Sequence, residues 1–303
     1  MKLIKPSYEI FEQGFEEQDI YKQIEKVGRT CYKSEDKITE GSAQKFVERM
    51  INSGHGAMLE HGTVYLYFPW VCAGREDAKY SHNAYSKCVF VTNVMPEYGK
   101  FRPIEYGEAG HYITTNLRVL VENGWMDDLK YICEPTEYHE RRVTVKFICD
   151  RGISHEFVRH RVFSFAQEST RYCNYSKDKF GNELTFTFPI WMDEELLNSY
   201  GSYHTLARSN TPESIFIAGL NNAEKDYLNL INMGWKAQEA RAILPNALKT
   251  ELVMTGFVSD WKHFFDLRAY GVTGKPHPQA SELAIPLLNE FITKGYLHGR
   301  ERN

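Results

Sequence analysis

The run RHRVFSFAQESTRY, residues 159–172, concentrates side chains able to hold a phosphorylated heterocycle. Arg159, His160 and Arg161 are followed by Ser164, Gln167, Glu168, Ser169, Thr170 and Arg171. A guanidinium is planar and permanently charged, and its fork matches a phosphate or the edge of a planar ring. Serine and threonine hydroxyls add donors for phosphate. The Gln167 amide offers the donor and acceptor needed to read an imide or amide edge. A blander reading is a basic turn that caps a helix and stands in water. That suits RHR alone better than the whole run, which is flanked by Phe163 and Phe165. Ser169 carries the hydroxyl of a nucleophile, but a serine needs a positioned base, and the ligand reading is preferred. Cys173 follows the run in arginine-rich surroundings that could lower a thiol pKa; a packed thiol is the simpler reading.

The elements that must position this run are read from periodicity and end signals. Residues 41–54 predict a helix, with Ser42 as cap, Ala43, Phe46, Val47, Met50 and Ile51 on one face, and Gly54 as stop. After HGAMLEH (55–61), TVYLYF (63–68) reads as a strand, as do VTVKFIC (143–149) and TFTFPI (185–190). TTNLRVLVENG predicts a helix ending at Gly124, NVMPEYGKFRP a loop, and ISHEFVRHR (153–161) a helix. Thr211-Pro212-Glu213 is a helix start, with Phe216, Leu220, Ala223, Tyr227 and Ile231 as the apolar stripe. Further helices are expected at 236–243, 246–266 and 279–294, so the chain reads as helical from 211 onward. Strands early and helices late indicate an α+β fold, a β-sheet core with flanking helices and a helical C-terminal half.

Composition narrows the function classes. The 303 residues are 42% hydrophobic and 25% charged, with net charge −4, which does not suit a generic nucleic-acid binder. No run has the length and apolarity of a membrane span or of a signal peptide core. Six scattered cysteines, Cys31, Cys72, Cys88, Cys133, Cys149 and Cys173, form no CxxC pair and read as reduced cytosolic thiols. There is no GxGxxG dinucleotide fingerprint.

The run resembles the RHRxxSxxxxSxRY signature of flavin-dependent thymidylate synthases, with Arg159, His160, Arg161, Ser164, Ser169, Arg171 and Tyr172 at the expected spacing. Gln167 stands where that family has Glu or Gln; Ala166 departs from its usual small polar residue or Asn. Glu60-His61 in HGAMLEH, RAILPNALKT (241–250) and HFFDLR (263–268) are similar to further segments of the family, and His277 and Gln279 to its HxQ pair, displaced by an insertion at GVTGK. The resemblance covers roughly residues 41–68 and 143–295, and implies one domain over 1–303 with an insertion at about 69–142.

The family resemblance implies conversion of dUMP to dTMP, with FAD as cofactor, and NADPH and 5,10-methylenetetrahydrofolate as co-substrates. It implies a homotetramer with sites at subunit junctions; no bound metal is expected, and charge, cysteine usage and the lack of a long apolar run lead to the expectation of a cytoplasmic protein with no nucleic-acid partner and no membrane. Arg268 would be the catalytic cation that activates the uracil ring. Glu156, Arg159, Gln167, Glu168, Ser169, Thr170, Arg171, Arg241 and Arg268 would line the dUMP site. Ala57, Arg159, His160, Arg161, Gln167, Phe257, Val258, Ser259 and His263 would touch FAD. Two other classes are open to the same residues. One is a metal-dependent phosphohydrolase using His55, His61, His155 and His160 with Glu156 as base, although HEFVRH places its histidines five apart, where one helical face needs four. The other is a non-catalytic nucleotide- or RNA-binding protein, which would have no need for Arg268, Arg241 and Gln167 together.

Overall fold

The computed structural model describes residues 1–69, 78–91, 109–193, 195 and 211–298. The NVMPEYGKFRP loop and Cys72 fall outside those residues. The strands are β1 (Lys2–Ile4), β2 (Ser7–Phe11), β3 (Thr63–Pro69), β4 (Lys87–Val91), β5 (Gly110–Asn116), β6 (Arg142–Asp150), β7 (Ser164–Gln167), β8 (Thr185–Thr187) and β9 (Lys249–Phe257). The fold mixes α and β. An antiparallel sheet of order β2-β6-β9-β7 is accompanied by a three-stranded sheet β3-β5-β4 and a parallel pair β1-β8.

The four-stranded sheet is covered on both faces. Val143, Val145, Phe147 and Cys149 of β6 and Leu252 and Met254 of β9 meet the helices Val258–Arg268 and Pro278–Thr293 in the largest core. Trp261, fully buried at its centre, donates its indole N–H to the Val143 carbonyl at 3.1 Å. On the opposite face, Val253 and Ala166 pack with Phe11 and with Val27 of the helix Glu17–Tyr32. Ala166 thus fills an apolar contact, which explains why a polar side chain is missing there.

This two-sided burial corrects the reading of the C-terminal half. Residues 249–257, predicted as part of a helix over 246–266, form β9, a central strand, and the helix begins only at Val258. From Thr250 to Phe257 every residue is buried, so no alternation of polar and apolar side chains marks the strand. The stretch predicted as helix at 236–243 is one short turn, Ala237–Ala240, followed by a 3-10 turn at Arg241–Ile243.

The strand predicted at 63–68 exists, but its partners lie inside the predicted insertion. β3 pairs with β5, and β5 with β4, so strands from that stretch complete a three-stranded sheet with β3. Its core joins the helices Glu17–Tyr32, Ser42–Asn52 and Leu117–Asn123. Ser42 does not cap its helix: Gly41 occupies the cap with φ 72, and the Ser42 hydroxyl donates to Glu25 at 2.6 Å. Gly124 ends Leu117–Asn123 in the left-handed region, as expected. The helix Pro212–Asn232 has the Thr211 cap and buries Leu220 and Tyr227 as its stripe requires. Among the described residues, no helix is long and apolar enough to cross a membrane.

Candidate active site

Arg268 is the last residue of the helix Val258–Arg268, where a cation also suits the helix dipole. Its three nitrogens are all engaged. Nη1 donates to Glu156 Oε2 at 2.6 Å, Nη2 to the Glu156 carbonyl at 3.0 Å, and Nε to His160 Nε2 at 3.2 Å. A guanidinium has five N–H groups, so one remains on each Nη. The head is therefore locked in one orientation and still presents a fork. Glu156 comes from the helix Arg151–Phe157, held at its start by the Asp150 side chain, which accepts from the Ile153 N–H at 2.7 Å. That helix ends before the predicted 161, and the chain turns so that His160 points inward.

His160 packs on Phe264 with ring centroids 5.1 Å apart, and the exposed His263 lies 6.0 Å away. Because Arg268 can only donate, His160 Nε2 is an acceptor and the ring is neutral. Burial, then the charges of Arg268 and His263, lower its pKa to about 4. His61 is likewise neutral: burial, then Arg142, lower its pKa to about 3, and its Nδ1 lies 2.7 Å from Thr255 Oγ1.

Both values lie below the unfolded histidine value of about 6.5, so unfolding takes up protons on the acid side. The stability these rings carry is complete above about pH 6.5 and is lost as pH falls towards 4 and then 3. Each ring is expected to contribute up to about 1.4 kcal/mol per pH unit in that window. Denaturant unfolding at pH 7.5 and pH 5 should show the loss, and His61→Gln should shrink it. Equal stability of the native chain at both pH values would show that the rings are not held neutral.

The second half of the run is built around β7. Gln167 donates to Ser154 Oγ at 2.9 Å and Thr250 Oγ1 at 3.2 Å, which ties it to the helix carrying Glu156. Thr170, buried, accepts from Arg241 Nη1 at 3.2 Å. The exposed Arg171 reaches Gln238 at 3.4 Å and lies over the Tyr172 ring. Ser169 is partly exposed, and its backbone N–H donates to the Cys31 carbonyl at 2.9 Å. No base is bonded to its hydroxyl among the described residues. Glu168 behaves differently from its neighbours: it is 2% exposed, with Tyr175 and Lys249 on its two oxygens at 2.9 and 2.7 Å. Cys173 is buried, and desolvation drives its thiol up to about 12, opposite to the lowering that nearby arginines suggested.

Of the remaining predicted residues, Arg159 and Arg161 are exposed and make no side-chain hydrogen bond to a described residue. Ala57 is exposed on the short helix Gly56–Leu59. Phe257 is buried beneath Arg142, Val258 packs on the main core, and the exposed Ser259 takes its backbone N–H to Glu140. Arg142, which the sequence reading passed over, is half-buried and donates to the Glu60 carbonyl at 3.0 Å. His277 and Gln279 also belong here: Gln279 donates to Asp150 at 2.8 Å.

Two cavities border Glu156. One, about 510 Å³, is lined by Glu156, Arg268, Thr273, Lys275 and His277 among others. The other, about 300 Å³, includes Asp150, Ile153, Trp191, Phe216 and His277. Neither of these two takes in Arg159, Arg171 or Arg241. Among the described residues, no three His, Cys, Asp or Glu side chains are grouped to hold a metal.

Residues 136–294 match the family model of the thymidylate synthase complementing protein. The chain is 34% identical over 148 residues to a flavin-dependent thymidylate synthase of Pyrococcus furiosus, covering 48% of this chain and 52% of that one. It is 32% identical over 120 residues to one of Corynebacterium glutamicum, covering 39% and 46%. The chain thus spans about half the length of these curated relatives. Among solved structures, a UMP/dUMP methylase, PolB from Streptomyces cacaoi bound with 5-Br dUMP, aligns over 97% of this chain and 93% of its own, at 13% identity and a TM-score of 0.42. The family match begins just ahead of β6, runs through the whole arginine-rich run, Arg241 and Arg268, and spans more than half of the residues: this chain belongs to the thymidylate synthase complementing protein family.

Proposed function

We propose that the protein is a flavin-dependent thymidylate synthase, which converts dUMP to dTMP with 5,10-methylenetetrahydrofolate as carbon donor and NADPH as reductant. One observation carries the reading. A guanidinium is fixed by a carboxylate, a carbonyl and a neutral imidazole, and keeps a free N–H on each terminal nitrogen at a cavity wall. Uracil presents an N–H between two carbonyls. Arg268 donates to a ring oxygen, and the second Glu156 oxygen accepts the ring N–H. Charge that develops on the ring as C5 becomes nucleophilic meets a cation already oriented, so little reorganisation is needed. Arg268 stays protonated throughout and acts as no base. No protein nucleophile is required: among the described residues no base is bonded to the Ser169 hydroxyl, and the Cys173 thiol is buried and protonated.

The donor set fits FAD. Arg159 and Arg161 are exposed cations with no acidic partner among the described residues, suited to a pyrophosphate. Ala57, Phe257, Val258, Ser259 and His263 would complete that contact, with His160 behind them. When bound, the flavin supplies hydride transfer. Ser169, Thr170, Arg171 and Arg241 would bind the phosphate of dUMP, and Gln167 would lie beside it. The reading includes a homotetramer in which neighbouring subunits complete each site, as the family resemblance implies. The domain reading is one unit over 1–303, with an added sheet. Five free cysteines among the described residues suit the cytoplasm.

The test is spectroscopic. Purified protein reconstituted with FAD should absorb as a flavoprotein, bleach with NADPH, and reoxidise when dUMP and methylenetetrahydrofolate are added, with dTMP formed. A protein that takes up no FAD, or that is reduced and yields no dTMP, would overturn the proposal.

A further inference from the structure

The loop that follows β7 rests on a buried ionic cluster drawn from three distant segments. Lys249 Nζ lies 2.7 Å from Glu168 Oε2 and 2.8 Å from Glu251 Oε1. Lys33, from the end of the first long helix, lies 2.9 Å from the same Glu251 oxygen. The side chains of Glu168 and Glu251 are 1% and 6% exposed, and that of Lys249 15%. Tyr175 donates to the remaining Glu168 oxygen at 2.9 Å. The backbone repeats the tie: Glu168 N–H donates to the Glu251 carbonyl at 2.8 Å, and Ser169 N–H to the Cys31 carbonyl at 2.9 Å.

Such a cluster is weak ground for stability, since desolvating the charges costs nearly what their attraction returns. What it does supply is a fixed position. Burial alone would raise the Glu251 pKa, but Lys249 and Lys33 outweigh it and bring the pKa to about 2. Lys249 stays charged for the same reason: its two carboxylates outweigh burial. Both oxygens of Glu168 are spent, so this residue faces the protein while Ser169, Thr170 and Arg171 on its C-terminal side face outward or toward Arg241.

We infer that Lys249 is a positioning residue: through Glu168 it fixes the loop Gln167–Arg171 and so sets affinity for the anionic substrate. Glu251 and Lys33 hold Lys249 and Glu168 in register, and none of the three touches the substrate. The inference rests on the proposed dUMP site of this same loop.

The test uses the full chain reconstituted with FAD. Lys249→Met should raise the KM for dUMP by about tenfold, as a displaced binding group does, with kcat within about threefold and flavin per chain unchanged. Lys249→Arg, which keeps the charge, should recover most of the loss. The double variant Lys249→Met with Glu168→Gln removes both partners and leaves no orphaned charge. It should fold and keep the raised KM if the pair positions the loop. A normal KM in Lys249→Met, or one restored in the double variant, overturns the inference. Should the unsubstituted protein form no dTMP, the functional reading fails instead. Calorimetric binding of dUMP to the same variants then decides the positioning role: weaker binding in Lys249→Met supports it, and equal binding overturns it.

Discussion

Arg268→Ala is expected to lower dTMP formation by about a thousandfold, the cost of losing an oriented charge from a site where negative charge develops. Flavin bound per chain should stay near that of the unsubstituted protein, because among the described residues the Arg268 side chain bonds to Glu156 and His160, and the exposed Arg159 and Arg161 proposed for the pyrophosphate do not depend on it. The fold should survive as well. Glu156 is one-third exposed, so its carboxylate can turn to water when its partner is gone. Arg268→Lys is expected to recover little. An ammonium keeps the charge but cannot reach His160, Glu156 and a ring oxygen at once from a planar fork. Single-turnover formation of dTMP with reduced flavin checks this directly. Near-normal turnover in Arg268→Ala would place ring activation elsewhere.

Trp261→Ala is expected to cost about 3–5 kcal/mol of stability, the range for emptying a large aromatic site in a packed core. Trp261 is fully buried and lies against Phe163, Phe264, Phe265 and Phe291, with ring centroids between 4.7 and 6.0 Å away. Its loss also removes the indole N–H that donates to the Val143 carbonyl. The effect should reach the site. Phe163 belongs to the arginine-rich run, and Trp261 shares its helix with His263 and Arg268. There is little slack to absorb the change: a methyl group added at Gly256 would already meet the Phe163 ring at 2.6 Å. Urea unfolding followed by circular dichroism measures the loss without relying on tryptophan fluorescence. A change below about 1 kcal/mol, within the scatter of surface substitutions and their neighbours, would mean that this core does not anchor the helix.

Much of the candidate site was legible because its chemistry is local. His160, Gln167, Thr170 and Arg171 lie within twelve consecutive residues of a run whose types suggest phosphate and heterocycle contacts whatever the fold, while Glu156 was named only through the family resemblance. Helices exposed along one face were legible too. Pro212–Asn232 has a cap, a proline in its first turn and a regular stripe, and Leu117–Asn123 has its terminal glycine. Where burial is two-sided, the local signal fails. Thr250–Phe257 has no polar face for a period to show, and its place between β6 and β7 is fixed by partners about a hundred residues away in sequence. The strand at 63–69 was found, but not its pairing with β5, because register depends on a segment far along the chain.

The sequence by itself determined which side chains are available: a run of arginines, hydroxyls and amides, and Arg268 at the end of a later helix. The tertiary structure alone decided their assignments. It turned His160 inward as the acceptor for Arg268, made Glu156 the partner of that cation, and buried Glu168 against Lys249. The reason is physical. A charge's role depends on what neutralises it and on how much water reaches it, and here those neighbours stand between 81 and 112 residues away along the chain.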